Sequence, residues 1–184
     1  MIRKILIVSD SHRRTENIKI AIDREIPDML IHLGDIEDDP EIVRGWLDEA
    51  AKKAGKTYPV PAVFIQGNCD RYSGADLKKA AVFEVNDHRF FCTHGHRQGV
   101  GFGVENLMYS AMENEADIAI YGHTHMPFDE TFESGLAAGD EVRILNPGSI
   151  SSPRGGSKKS YMIMTFDNEN GYKVELKKLQ GGSK

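Results

Sequence analysis

The stretch KILIVSDSH, residues 4–12, decides the fold of this chain. Four aliphatic residues follow the lysine, and such a run predicts a strand that is buried on both faces of a sheet. Polar side chains come directly after the run, where the predicted strand ends. Since ligands of open α/β sheets bind at the carboxyl ends of strands, this stretch predicts both the sheet type and the place of its chemistry.

Outward from this strand, the pattern predicts a βαβαβ unit. Apolar residues at helical spacing predict helices over residues 15–25 and 40–53, and short apolar runs predict strands at 29–33 and 62–66. Asp39 and Pro40 match an N-cap and a first helical position. The alternation of strands and helices predicts parallel pairing in this half of the chain.

The second half is richer in strands. The AsnAsp pair at 86–87 predicts a hairpin between strands at 82–85 and 89–93. A helix is predicted at 104–115, and the further predicted strands cover residues 118–121, 143–145, 161–166 and 172–176. Parallel units followed by hairpins predict two sheets packed face to face with helices outside. At 184 residues, the chain is expected to form a single domain over residues 1–184.

The charge and the cysteine content exclude several classes of protein. The formal net charge is −5 and no long basic block occurs, so nucleic-acid binding is not expected. A phosphate-bearing ligand would need local positive charge, which bound cations would supply. No membrane span or export signal is found, and two cysteines without CxxC spacing favour a reducing cytoplasm over a disulfide scaffold.

Metal-capable side chains stand at the ends of nearly all predicted strands in the first two thirds of the chain. In extended chain, residues two apart point the same way, so the DxH and HxH pairs are each expected to hold one ion. The mixed oxygen and nitrogen donors suit Mn²⁺, Zn²⁺, Fe or Co more than an all-oxygen Ca²⁺ site, and they do not choose among these metals. Mn²⁺ is the expected ion, with Zn²⁺, Fe, Co and Ni as alternatives. The seven candidate ligands are Asp10, His12, Asp35, Asn68, His94, His123 and His125.

Each of these residues taken alone has an ordinary structural explanation. Asp10 or Asp35 could serve as a helix N-cap, which is a common use of aspartate after a strand. His32 and His88 are expected to be half-buried or surface side chains without a special role. The acidic stretch at 37–39 is expected to favour the positive end of the following helix. The argument for a metal site depends on the whole set.

Six short motifs occur in a fixed order along the chain. They are DSH from Asp10, GD from Gly34, GNCD from Gly67, THGH from Thr93, GHTH from Gly122 and NPGS from Asn146. Together they resemble the calcineurin-like metallophosphoesterase family, and GNCD resembles its small YfcE-type phosphodiesterase branch. The resemblance implies a four-layer α/β/β/α sandwich of two mixed sheets, with a dimetal centre at one rim.

The resemblance also implies how two divalent metal ions would be held and used. A hydroxide bridging the ions would hydrolyse a small phosphate-ester substrate, with a phosphodiester favoured over a monoester. One ion would take Asp10, His12 and His125, and the other would take Asn68, His94 and His123, with Asp35 bridging both.

Four further residues are implied near the substrate. Many family members have histidine where this chain has Cys69, so Cys69 either acts in catalysis or fills space beside its neighbour. His96 is the candidate for a compensating group near the phosphate, and Asp70 for a partner of the ligands. Arg154 is a candidate for phosphate binding, with an exposed loop arginine as the alternative.

Two other functions remain open from the sequence. A non-catalytic scaffold with this fold could bind proteins, as the related retromer subunit does, although such scaffolds can lose ligands and all seven are present here. A metal hydrolase of other esters or amides usually has its HxH after an early strand, whereas here it comes late. The sequence also leaves homo-oligomer formation and the natural substrate open.

Overall fold

The computed structural model describes residues 2–70, 77–133, 141–167 and 171–179. These ranges contain ten strands, three α-helices and a short 3-10 turn at His96–Gln98. In chain order the elements are β1 (Lys4–Val8), α1 (Glu16–Glu25), β2 (Met29–His32), α2 (Pro40–Lys53), β3 (Ala62–Phe64), β4 (Ala80–Val85), β5 (His88–Thr93), α3 (Glu105–Glu113), β6 (Ile118–Ile120), β7 (Pro127–Glu133), β8 (Glu141–Pro147), β9 (Ser160–Phe166) and β10 (Tyr172–Lys178).

The strands form two mixed sheets of five strands each. The first sheet has the order β10-β9-β1-β2-β3, in which β1, β2 and β3 are parallel, β9 is antiparallel to β1, and β10 is antiparallel to β9. The second has the order β4-β5-β6-β8-β7, with β5, β6 and β8 parallel between two antiparallel edge strands. The parallel strands β1, β2 and β3 therefore have their carboxyl ends at one edge of the first sheet, and β5, β6 and β8 have theirs at one edge of the second.

Three apolar clusters divide the molecule into four layers. The first cluster joins α1 and α2 to the outer face of the first sheet, and the second fills the space between the sheets. The third joins α3 to the outer face of the second sheet. This arrangement confirms the predicted α/β/β/α sandwich.

Strand β1 shows how the opening stretch produces this layering. Its side chains alternate, with Leu6 and Val8 in the cluster below the helices and Ile5 and Ile7 in the cluster between the sheets. All four are fully buried. An uninterrupted aliphatic run is what a strand with two buried faces requires, because a polar residue on either side would lose its hydration.

Helix α2 begins as its sequence predicts. The side chain of Asp39 accepts a hydrogen bond from the backbone N–H of Glu41 at 3.0 Å, and Pro40 occupies the first turn. Val43 and Leu47 are buried one turn apart on the face that packs on the sheet. The N-cap prediction for Asp39 is confirmed.

Strand β7 is the element that the sequence pattern did not predict. It begins with Pro127, carries several acidic residues and lies at the edge of the second sheet, so that much of it is exposed. Phe128 and Phe132 pack against the third apolar cluster. Charge and a leading proline are typical of edge strands, and they hide the strand from a hydrophobicity pattern. Within the described ranges, no helix combines the length and apolar character needed to cross a membrane.

Candidate metal centre

The structure brings the seven predicted ligands together where strands of both sheets end, an edge called the rim below. Ligand atoms of Asp10, His12 and His125 all lie within 4.8 Å of one another, and so do those of Asp10, Asp35 and His94. The remaining two lie beside His94. The Oδ1 atom of Asn68 is 3.1 Å from His94 Nε2, and the ring centroid of His123 is 5.2 Å from that of His94.

Two of the imidazoles turn the same nitrogen toward this centre. The Nδ1 atom of His94 contacts the carbonyl oxygen of Leu33 at 2.7 Å, and that of His125 contacts the carbonyl oxygen of Ser152 at 2.5 Å. A carbonyl oxygen can only accept, so each Nδ1 carries the proton and donates it. In the neutral ring the Nε2 atom then presents its lone pair to the centre, as a metal ligand must.

Asp10 carries the clearest sign that a cation fits here. Its Oδ2 atom accepts a hydrogen bond from the backbone N–H of His123 at 3.1 Å. Its Oδ1 atom is buried and has no hydrogen-bond partner among the described residues, while the Nε2 atom of His125 lies 3.2 Å away. A buried carboxylate oxygen without a donor is costly unless something positive binds it. The donor set therefore fits a divalent cation.

The pKa values of these residues follow from their mutual contacts. Burial alone raises the pKa of Asp35, but contacts with His94 and the backbone N–H of Cys69 hold it well below its usual range. For Asp10, burial again raises the pKa, and contacts with His125 and His94 outweigh it. Burial lowers the pKa of His94, whereas Asp35 and Asp10 raise it further than burial lowers it. The site keeps its carboxylates ionised and favours positive charge.

The backbone at the rim corrects one step of the sequence argument. Asp10 and His12 have φ values of 54° and 45°, and those of His123 and His125 are 66° and 61°. Asp35 is also left-handed, at 54°. Alternation along extended chain is therefore not the reason that these pairs meet, because both pairs lie in tight turns beyond the strand ends. Such conformations are rare for non-glycine residues and cluster at functional sites.

The loops after β2 and β3 touch backbone to backbone. A Cβ atom on Gly67 would lie 2.0 Å from Oδ1 of Asp35, and one on Gly34 would lie 2.7 Å from the backbone N of Gly67. The carboxylate of Asp70 ties the two loops together. It accepts N–H donors from Asp35, Gly67 and Glu37 at 2.7–2.8 Å. Asp70 thus holds the backbone of the two loops that carry Asp35 and Asn68.

The NPGS segment fastens the two histidine turns to β1. The side-chain amide of Asn146 donates to the carbonyl oxygen of Gly122 at 2.9 Å. The hydroxyl of Ser149 donates to the carbonyl oxygen of Asp10 at 2.8 Å and accepts from the N–H of Ser152 at 2.7 Å. The motif therefore positions the Asp10 and His125 turns relative to each other, a role that its sequence did not specify.

The other predicted site residues also lie at the rim. Cys69 is exposed, and its sulfur lies within 4.8 Å of ligand atoms of His12 and Asp35. Partial burial and the nearby carboxylate of Asp35 raise the pKa of the Cys69 thiol to about 12. The His96 ring centroid is 5.4 Å from that of His94, and its Nδ1 atom is buried without a partner in the described part of the chain. Arg154 is exposed, and its backbone N–H donates to the carbonyl oxygen of His125 at 3.2 Å.

Two residues differ from their expected roles. His32 is fully buried rather than half-buried or on the surface. Its Nδ1 atom accepts from the N–H of Gly34 at 3.2 Å, and its Nε2 atom contacts the hydroxyl of Ser11 at 3.1 Å. Glu37 does not serve the positive end of α2, as Asp39 does; its carboxylate contacts His12 at 2.5 Å. An acidic residue two positions after a candidate ligand is the one signal that could have suggested this.

Comparison with known proteins extends over almost the whole chain. The model of the calcineurin-like phosphoesterase superfamily domain matches residues 4–169. The chain is 32% identical over 167 residues to the probable metallophosphoesterase YsnB of Bacillus subtilis, covering 90% of this chain and 85% of that protein. It is 29% identical over 184 residues to the phosphodiesterase YfcE of Escherichia coli, with 89% and 88% covered. The crystal structure of a predicted phosphoesterase from Streptococcus pneumoniae superposes with a TM-score of 0.72 at 28% identity, covering 97% of this chain and 91% of that one.

Proposed function

Because the chain belongs to the calcineurin-like phosphoesterase superfamily, we propose that it hydrolyses small phosphodiesters at the rim, with two divalent cations as cofactors. Mn²⁺ is the favoured ion, and Zn²⁺, Fe, Co and Ni also suit the donors. In this proposal the chain acts as a single catalytic domain. The likeness to the phosphodiesterase YfcE supports diesters over monoesters.

The observation that carries the proposal is the unpartnered Oδ1 atom of Asp10. It is buried among imidazole Nε2 atoms, with that of His125 at 3.2 Å and that of His94 at 4.0 Å. In each neutral ring the proton is on Nδ1, which donates it to a carbonyl oxygen. The Nε2 atoms therefore carry lone pairs. The Nε2 lone pairs and the Oδ1 atom therefore face one another, an arrangement that a bound cation would stabilise.

The same distances support an assignment of ligands to two ions. Asp35 Oδ2 lies 4.0 Å from Nε2 of His12 on one side and 3.4 Å from Nε2 of His94 on the other. In the proposed arrangement Asp35 is shared between the ions. The first ion takes Asp10, His12 and His125, and the second takes Asn68, His94 and His123.

The charge balance explains why such a site would attract phosphate. Asp10 and Asp35 are the two anionic ligands, and the other five are neutral when they coordinate. Two bound dications would therefore leave excess positive charge, which the net charge of −5 for the chain makes necessary for binding an anion. When bound, such ions polarise phosphoryl oxygens and lower the pKa of water.

Three residues are proposed to contact the substrate. Cys69 and His96 lie beside the candidate ligands, since the sulfur of Cys69 is within 4.8 Å of ligand atoms of His12 and Asp35 and the His96 ring centroid is 5.4 Å from that of His94. Arg154 follows the His125 turn and offers a planar guanidinium group, which suits phosphate oxygens. Asp70 is proposed to act through the backbone of Asp35 and Gly67, without touching the substrate.

The direct test is hydrolysis of a bis-aryl phosphate and of the matching mono-aryl phosphate, with Mn²⁺ and with a chelator. We expect Mn²⁺-dependent turnover that is faster for the diester and that falls at least about 100-fold in Asp35→Asn, because the shared carboxylate is lost. Asp23→Asn, an exposed change on α1, is the matched control and should retain full activity. Turnover without metal, or an active Asp35→Asn protein, would remove the proposal.

A scaffold function is distinguished by metal content. An interaction module with this fold has no need to keep two ions, whereas the proposed enzyme requires both. Metal analysis of protein purified without chelator is expected to give about two equivalents per chain. Less than one equivalent, together with no turnover after Mn²⁺ is added, would favour the scaffold instead.

A further inference from the structure

Glu37 makes a close contact with one of the candidate ligands. Its Oε1 atom lies 2.5 Å from Nδ1 of His12, and the two side chains are 22% and 25% exposed. The carboxylate accepts and the Nδ1–H group donates, so in the neutral ring Nε2 of His12 carries the lone pair. That Nε2 atom is 3.3 Å from Nε2 of His125 and 4.0 Å from Oδ2 of Asp35.

The position of Glu37 is itself fixed by the fold. Its φ of 52° is left-handed, and its backbone N–H donates to Oδ1 of Asp70 at 2.8 Å. Two backbone hydrogen bonds tie this turn to the turn after β1, from His12 N–H to the carbonyl oxygen of Asp35 and from Arg13 N–H to that of Ile36. The backbone of Glu37 is thus held by Asp70 in the loop after β3, and its turn is held by the turn after β1.

The group that accepts from Nδ1 of His12 differs in kind from the groups that accept from two neighbouring imidazoles. The Nδ1 atoms of His94 and His125 meet backbone carbonyl oxygens, which no side-chain substitution removes. The Nδ1 atom of His12 meets a side chain. The orientation of His12 therefore depends on a residue that can be changed without touching any of the seven candidate ligands.

We propose that Glu37 is a positioning residue of the metal centre, which fixes the tautomer and the ring orientation of His12 toward the cation shared with Asp10 and His125. This inference rests on the proposed function, because it requires a cation at that place. A carboxylate behind a ligating histidine typically contributes 10–100-fold, in order of magnitude, to metal affinity. The contribution should fall on one of the two ions, since the contacts of His94 and Asn68 do not involve Glu37.

The test is calorimetric titration of Mn²⁺ into chelator-stripped wild-type, Glu37→Gln, Glu37→Ala and Glu41→Gln proteins. In Glu37→Ala we expect one of the two sites to weaken by about 10–100-fold while the other changes less than about threefold. Glu37→Gln should lie between Glu37→Ala and wild type, because its amide oxygen still accepts from Nδ1. Glu41→Gln changes an exposed glutamate paired with Arg44 and should bind as wild type does.

A spectroscopic readout separates positioning from general loosening. In wild type without metal, the Nδ1–H proton of His12 should give a slowly exchanging NMR signal, and Glu37→Ala should lose this signal while the corresponding His94 signal persists. Unchanged affinities in Glu37→Ala, or an equal loss at both sites, would overturn the inference. A wild-type protein that binds no Mn²⁺ would instead refute the proposed function, so the two failures are distinguishable.

Discussion

The Nε2 atoms of His12 and His125 lie 3.3 Å apart, and the Nδ1 atom of each ring already has an oxygen acceptor. With both rings neutral, two nitrogen lone pairs face each other across this gap. The pair is unfavourable until a positive charge enters, either a proton on one ring or a cation near both. The arrangement therefore predicts that the folded protein is stabilised by metal.

Adding Mn²⁺ to chelator-stripped protein should raise its melting temperature. A ligand that binds the folded state at 100 times its Kd contributes about 2.7 kcal/mol, which for a chain of this size corresponds to roughly 5–10 °C. Differential scanning calorimetry at pH 7.5 measures the shift. His12→Ala removes one member of the facing pair and should lose at least half of it, whereas a shift of wild-type size in that variant would contradict the explanation.

The buried His32 predicts a stability loss in mild acid. Burial lowers the pKa of His32 to about 4, against 6.5 for an ordinary histidine. Between these values the unfolded chain binds a proton that the folded chain does not, so the free energy of unfolding falls as the pH drops from 6.5 toward 4. The loss is at most about 1.4 kcal/mol per pH unit.

Urea unfolding at pH 7.5, 6 and 5 with chelator present measures this dependence. Burial also lowers the pKa values of His96 and His123, so the useful quantity is the difference between wild type and His32→Asn. The Asn oxygen can still accept the N–H of Gly34, but the residue no longer titrates. The variant should lose less stability than wild type over this range, and parallel curves would show that His32 contributes nothing to the pH dependence.

Much of the fold could be predicted because its central strands have simple patterns. The aliphatic residues of β1 are buried on both faces, and Asp39 caps α2, as their sequence indicates. Strand β7 escaped prediction because its pairing with β8 decides its structure, while its own residues are acidic and half exposed. Pairing with a distant strand is a tertiary property that a local pattern does not contain.

The candidate site could be predicted as a set of residues but not as a geometry. The motifs identify the groups that meet at the rim, yet they do not contain the left-handed turns at Asp10 and His125. Glu37 and Ser149 were missed for a related reason. Their roles come from contacts across 25 and 139 positions of sequence, with His12 and Asp10 respectively. Only the folded chain brings these partners within reach.

Replacing Asp70 by Asn should destabilise the rim although the two side chains have the same shape. Oδ2 of Asp70 accepts from Asp35 and Gly67, and Oδ1 accepts from Glu37. In Asn the remaining oxygen can still accept on one side, but the NH₂ group replaces the other oxygen. There two donors, the NH₂ group and a backbone N–H, face each other without an acceptor. We expect the free energy of unfolding to fall by about 2–4 kcal/mol, measured by urea denaturation.

Asp48→Asn is the matched control for this change. The Asp48 carboxylate accepts the N–H of Val60 at 2.7 Å, a contact that an amide oxygen can keep. Asp48→Asn should lower the free energy of unfolding by less than about 1 kcal/mol. If both variants lost the same stability, the three amide contacts of Asp70 would not be what holds the two loops together.

Gly67→Ala and Gly45→Ala should change stability in opposite directions. A Cβ atom at Gly67 would lie 2.0 Å from Oδ1 of Asp35 and 2.3 Å from its backbone N, so the loop after β2 must move to admit it. We expect a loss of about 3 kcal/mol in the free energy of unfolding and weaker Mn²⁺ binding, because Asp35 moves with its loop.

Gly45 lies in α2, with nothing within 4 Å of its added Cβ atom. Alanine there should raise stability by about 0.5–1 kcal/mol, since glycine is the more flexible residue in the unfolded chain. Urea denaturation and Mn²⁺ titration of both variants check the pair, and a Gly67→Ala protein that binds Mn²⁺ as tightly as Gly45→Ala would show that the rim tolerates a displaced Asp35.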